Sequence, residues 1–124
     1  MLSIRAQQID AFDSVDAPDF PPRMIRRLQD AFPKHCRCLG EDGILEVVDY
    51  GIRKGRDYGF TRQSSASLFS DLTLLLGRSF HADPQLPWAS VILRDIAFTN
   101  ELAKAQRLHA AASEYLNSVS GPAN

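Results

Sequence analysis

The chain has 124 residues, 44% of them hydrophobic and 23% charged, with a net charge of −1. That suits one domain with one core and excludes a molecule that binds nucleic acid or acidic lipid through its overall charge. The N-terminus has no basic segment followed by an apolar run, and no apolar stretch approaches the roughly 18 residues of a membrane span, so neither a secretory signal nor a membrane association is expected.

The apolar period is helical almost throughout, with no strand-like alternation longer than four residues. A first short helix is expected over 4–12, with Ser3 as its N-cap and Ile4, Ile9 and Phe12 as its apolar marks. An acidic connector carrying Asp13, Asp16 and Asp19 follows. Asp19 should cap a second helix that takes Pro21 and Pro22 in its first turn. Its apolar stripe is Met24, Ile25, Leu28, Ala31 and Phe32, and Pro33 should stop it. A loop then leads to a third helix over about 41–58, with Ile44, Leu45, Val48 and Ile52 facing inward. Gly51 and Gly55 share that side. Each costs a helix about 1 kcal/mol relative to alanine, so the pair predicts a close approach of another helix, within the same chain rather than from a second copy.

Gly59 should end this helix. A fourth helix is expected over about 64–76, burying Leu68, Phe69, Leu72, Leu75 and Leu76, with Gly77 as its stop. The loop 78–87 carries two prolines, and Pro87 sets Trp88 at the start of a short fifth helix with Ile92 and Leu93 inward. Thr99 should cap a last helix along Leu102, Ala105, Leu108, Ala112, Tyr115 or Leu116, and Val119. The pattern predicts one all-α domain, a compact bundle of five to six helices over 1–119, with 120–124 as a frayed tail.

Few side chains suggest chemistry. Cys36 and Cys38 are separated by Arg37 alone, and a disulfide between them would close a tiny strained ring. Reduced thiols and a cytoplasmic location follow. His35, Cys36 and Cys38 lack the second Cys/His cluster that a structural zinc site pairs with, so no metal and no cofactor is expected. A cysteine nucleophile would need a base such as His81 or His109 brought to it by the fold. His81, Asp83 and Asp71 surround the 78–87 loop and form the acid–base candidates. Their commoner uses are a helix cap for His81 and a turn for Asp83-Pro84.

Residues 23–37 hold five positive charges, Arg23, Arg26, Arg27, Lys34 and Arg37, against Asp30 alone. Arg23, Arg26 and Arg27 share one helical face, which could dock an acidic protein surface or phosphate, or could face the aspartates at 10, 13, 16 and 19. Nucleic acid is not the expected partner, because no aromatic stacking platform or recognition-helix motif accompanies these charges. Trp88, with Phe80, Leu86 and Pro87, is either a core seal or an interface anchor.

The order Tyr58-Gly59-Phe60, a helix ending Leu76-Gly77, Phe80, Asp83-Pro84, Pro87-Trp88, Ile92-Leu93 and an Ala-rich last helix with Tyr115-Leu116 resembles a group of small helical bacterial proteins encoded beside type VI secretion spike and effector genes. The opening Ile4-Arg5-Ala6-Gln7-Gln8 and the Phe32-Pro33 stop fit the same pattern, so the resemblance covers most of the chain. Its motifs are glycine stops and a Pro-Trp helix start, and it brings no catalytic residue. The resemblance implies a cytoplasmic accessory protein that handles a secreted effector or spike component, as adaptor, co-chaperone or immunity protein. The expectation is therefore a non-enzymatic interaction module presenting Arg23, Arg26, Arg27, Lys34, Phe80 and Trp88 to a protein partner, with its oligomeric state open. The alternative is a small enzyme or ligand-binding domain with His81, Asp83 and Cys36 lining a cleft.

Overall fold

The computed structural model describes residues 13–120, so the helix expected over 4–12 and the tail beyond 120 lie outside the described residues. Within them the chain is all-α. Five helices run α1 (Phe20–Ala31), α2 (Pro33–Asp57), α3 (Gln63–Leu76), α4 (Pro87–Leu93) and α5 (Glu101–Ser120), with one 3₁₀ turn, Phe80–Ala82, between α3 and α4. No described helix is long and apolar enough to cross a membrane.

The helix expected to stop at Pro33 does end before it, but another helix starts there at once. Phe32 (φ −131°, ψ 60°) breaks α1, and Pro33 opens α2, where its missing N–H costs nothing. The loop expected after Pro33 is therefore helical, and the break falls at Gly40 (φ 76°, ψ 173°), a conformation that side chains with a Cβ rarely adopt. Asp19 does not cap α1 with its side chain. Its carboxylate instead accepts from Arg23 Nε at 3.0 Å. At α5 the capping oxygen belongs to Asn100, whose Oδ1 accepts the Leu102 N–H at 2.8 Å, and not to Thr99.

The buried side chains form two clusters. Val15, Phe20, Met24, Leu28, Cys36, Ile44, Val47, Val48 and Ala66 join α1, α2 and α3. Phe60, Phe69, Leu72, Phe80, Leu86, Ala89, Ile92, Leu93 and buried residues of α5 form the other. Between them α2 crosses α3 at the Gly51/Gly55 face. A Cβ on Gly51 would collide with Ser70 Oγ and stand 2.9 Å from Ser70 Cβ and 3.0 Å from Ser70 Cα. The close approach read from the glycine pair is thus within the chain. Gly55 is looser, since a Cβ there would meet Phe69 and Phe60 at 3.6–3.7 Å, ordinary contact.

Four expected core residues lie outside. Leu45 is 53% exposed because the inward side of α2 follows Ile44, Val47, Val48, Gly51 and Gly55, and Leu45 sits at its edge. Leu102 and Val119 are exposed for the same reason on α5, whose buried face is Ala105, Leu108, Ala111 and Ala112. Ala31 is exposed at the end of α1.

Polar ties join distant parts. Residues 13–15 pair with 61–63 through Val15 N–H to Thr61 O (3.0 Å) and Gln63 N–H to Asp13 O (2.7 Å). Glu101, at the start of α5, accepts from Thr61 N–H, Thr61 Oγ1 and Arg62 N–H at 2.9–3.1 Å. Burial pushes its carboxyl up, but the Arg62 and Thr61 N–H groups and the Thr61 and Ser65 hydroxyls outweigh this and hold it below the ordinary glutamate value. Lys104 Nζ donates to Tyr58 O (3.2 Å) and Leu93 O (3.1 Å), occupying carbonyls left free at the ends of α2 and α4.

Two stability predictions follow the packing. Gly51→Ala should cost about 1–3 kcal/mol by overpacking, whereas Gly55→Ala should be neutral or stabilise by up to about 1 kcal/mol from helix propensity. Urea denaturation of the two variants checks the contrast. Glu101→Gln should destabilise by about 2 kcal/mol at neutral pH, since donors that served a carboxylate lose a charged acceptor. A carboxyl held low in the folded state contributes fully above its unfolded pKa, and that contribution is lost as pH falls through the folded value. Acid titration should therefore show a shallower loss of stability in Glu101→Gln than in the parent chain.

Candidate functional site

The basic stripe of α1 is largely occupied by α3. Gln63, Ser67 and Asp71 lie four residues apart along α3 and face it. Arg23 donates to Gln63 Oε1 at 3.0 Å, and Arg27 donates to Ser67 O at 3.4 Å and pairs with Asp71. The aspartates of the connector divide themselves differently from the sequence expectation: Asp19 takes Arg23, but Asp13 takes Arg62 (3.1 Å) and Asp16 takes Arg56 (2.7 Å). Burial pushes the Asp71 carboxyl up, against the hydrogen bond and charge of Arg27 and the charge of His109. Asp71, an acid–base candidate in the sequence, serves to hold α1 on α3. Of the four cations expected to meet a partner, Arg26 and Lys34 stand exposed without a carboxylate partner among the described residues.

The 78–88 loop turns its large side chains inward. Phe80 is only 1% exposed, with its ring centroid 5.0 Å from that of Phe69, so it is core and not a contact residue. Trp88 is half-buried against Tyr115, with ring centroids 5.8 Å apart. His81 is 9% exposed, and both ring nitrogens meet tyrosine hydroxyls, Nε2 with Tyr50 at 2.8 Å and Nδ1 with Tyr58 at 2.9 Å. Asp83 Oδ1 accepts the Gln85 N–H at 2.9 Å and closes a turn. Cys36 lies in the other apolar cluster. The three side chains of the cleft hypothesis are thus committed to three different environments.

The helical piece before Gly40 creates a feature the sequence did not announce. Lys34, His35 and Cys38 fall on one face of it, and with Leu39 and, from α3, Leu74 they line an open hollow of about 300 Å³. Leu39 leaves 43% of its surface in solvent, and the His35 ring stands edge-on to Phe32 at 6.1 Å. A cation and an imidazole beside exposed leucine suit a partner segment that carries a carboxylate next to an apolar side chain. A larger hollow of about 460 Å³, lined by Val15, Pro21, Leu45, Val48 and Ile52, explains the position of Leu45. Its rim charges are already matched, Arg53 with Asp49, Arg56 with Asp16 and Lys54 with Asp57. No group of three His, Cys, Asp or Glu side chains converges as a ligand set among the described residues.

The two thiols are free and differ in access. Cys36 is buried, which pushes its pKa up, whereas Cys38 is exposed. In the native protein a thiol-specific reagent should modify one equivalent quickly, at Cys38, and the second only on unfolding. Peptide mapping after partial alkylation identifies the site, and equal labelling of both thiols would contradict the burial of Cys36. No protein-family model, curated protein or solved structure matches this chain, so its functional reading rests on these residues and on the motif order described above.

Proposed function

We propose that the chain is a non-enzymatic protein-interaction module, a cytoplasmic accessory of a bacterial type VI secretion effector or spike component acting as adaptor, co-chaperone or immunity protein. The observation that carries the interaction reading is the Lys34–His35–Leu39–Leu74 hollow, where a cation without a carboxylate partner among the described residues adjoins exposed apolar surface. The motif order supports the secretion assignment. The reading takes the helices as one compact bundle, in keeping with α2 packing on both α1 and α3, and α5 on both α3 and α4. The contact residues it retains are Lys34, Arg26 and the exposed edge of Trp88. Arg23, Arg27 and Phe80 support them from within.

Binding assays with the purified spike and effector proteins of the bacterium that carries the chain test this reading. Lys34→Glu with Leu39→Asp should weaken binding by about tenfold or more, with the melting temperature unchanged. Reversing Arg23 and Arg27 should instead lower the melting temperature by loosening α1 from α3. Undiminished binding by the Lys34/Leu39 variant would remove the hollow as the interface, and no binding to any spike or effector protein would remove the secretion assignment.

A further inference from the structure

The connector between α3 and α4 is held to α2 by a polar chain inside an aromatic nest. The Tyr50 hydroxyl donates to Arg78 O at 3.0 Å. A hydroxyl has one hydrogen, so Tyr50 can meet His81 Nε2 only as an acceptor, and Nε2 must carry the proton. Nδ1 is then the bare nitrogen, and it accepts from the Tyr58 hydroxyl. All three bonds are satisfied by one neutral tautomer. The rings of Phe69, Phe80, Tyr50 and Tyr58 surround the imidazole with centroids 5.6–6.3 Å away.

We propose that the Tyr50–His81–Tyr58 chain is an acid-sensitive latch, which holds the 77–86 connector against α2 while His81 is neutral and releases it when the ring takes a proton. A proton can enter only at Nδ1, where the Tyr58 hydroxyl already points its hydrogen. Tyr58 must then turn that hydrogen away, and no other acceptor stands at its hydroxyl among the described residues. No carboxylate among the described residues acts on the new charge. Lys54 of α2 and the residue after α4, Arg94, act on the ring, and both are positive. Arg53 and Arg78 lie over the Tyr50 ring at 5.6 and 5.5 Å, and the nearby Glu46 is bound to Arg78. The α3 side contributes Phe69, without charge.

Burial first, and then Lys54 and Arg94, hold the ring's pKa below the ordinary histidine value of 6.5. The unfolded or opened connector therefore binds the proton at a higher pH than the closed one. The latch is at full strength above about pH 6.5, and its contribution falls as pH drops from there through the closed-state value. Release would uncover Phe80 and Leu86, both buried while the latch is closed.

Native-state hydrogen exchange by NMR tests this through the hydrogen-bonded amides of Phe80, Ala82 and Leu86, with α5 amides as the internal control. Protection corrected for intrinsic rates should fall about tenfold between about pH 7.5 and about pH 5 at the connector and not in α5. In His81→Gln, which keeps one donor and one acceptor without titrating, that fall should disappear. Should His81→Gln not fold, Tyr58→Phe serves, with lower connector protection at neutral pH and a smaller response to acid. Connector protection that ignores pH in the parent chain overturns the latch, as does an equal fall in the variants.

Discussion

The close crossing of α2 and α3 at Gly51 and Ser70 governs the arrangement of the rest. With no Cβ on Gly51, the backbone of α3 comes near enough for Ser70 to fill the notch. That brings Phe69 against Gly55 and aims one side of α3 at α1 and the other at α5. Gly51 in mid-helix costs about 1 kcal/mol in propensity, which the dense packing of Ser70 against it offsets. The two apolar clusters lie on either side of this crossing, and each takes residues from α3.

Around the crossing, charge and hydrogen bonding are used mainly to fasten segment ends. Glu101 holds the backbone that leads into α3, and Lys104 occupies carbonyls at the ends of α2 and α4. Both act across about 40 residues of sequence or, for Leu93 to Lys104, across the link between two helices. Exposed ion pairs elsewhere, such as Arg53 with Asp49, contribute little, because water screens them and ordering two long side chains opposes the gain. The arginines of α1 belong to the fastening set. Their guanidiniums meet acceptors on α3, so a face that looks like a docking stripe is in large part an internal joint.

What remains for a partner is smaller and more mixed in character. Lys34 has no carboxylate partner among the described residues and lies beside leucine surface, while the 78–88 loop hides Phe80 and most of His81. The loop is thus held by its own large side chains, and the tyrosines that flank His81 tie it to α2 through specific hydroxyl geometry. The proposed interaction surface and the proposed latch lie on different parts of the molecule, one beside the kink at Gly40 and the other beside the end of α2.

The all-α character, the ends of helices near Gly59 and Gly77, and the close packing at Gly51 were legible in the sequence, because each follows from local period or from what a glycine permits. The helical turn after Pro33 was not. Proline was read as a stop, and α1 does end before it, but at the first position of a helix the same residue is also a start, and the sequence reading omitted that second role. The exposure of Leu45, Leu102 and Val119 was likewise illegible, since a helical stripe defines a side but not how far the neighbouring helix reaches around it. The sequence by itself determined the helices and the positions of their small residues. Tertiary structure alone decided that Arg23 and Arg27 meet α3, that His81 lies between Tyr50 and Tyr58, and that Lys34, Cys38 and Leu74 share a hollow. Those partners are 23 to 44 residues apart or lie on different helices, beyond the reach of any local period.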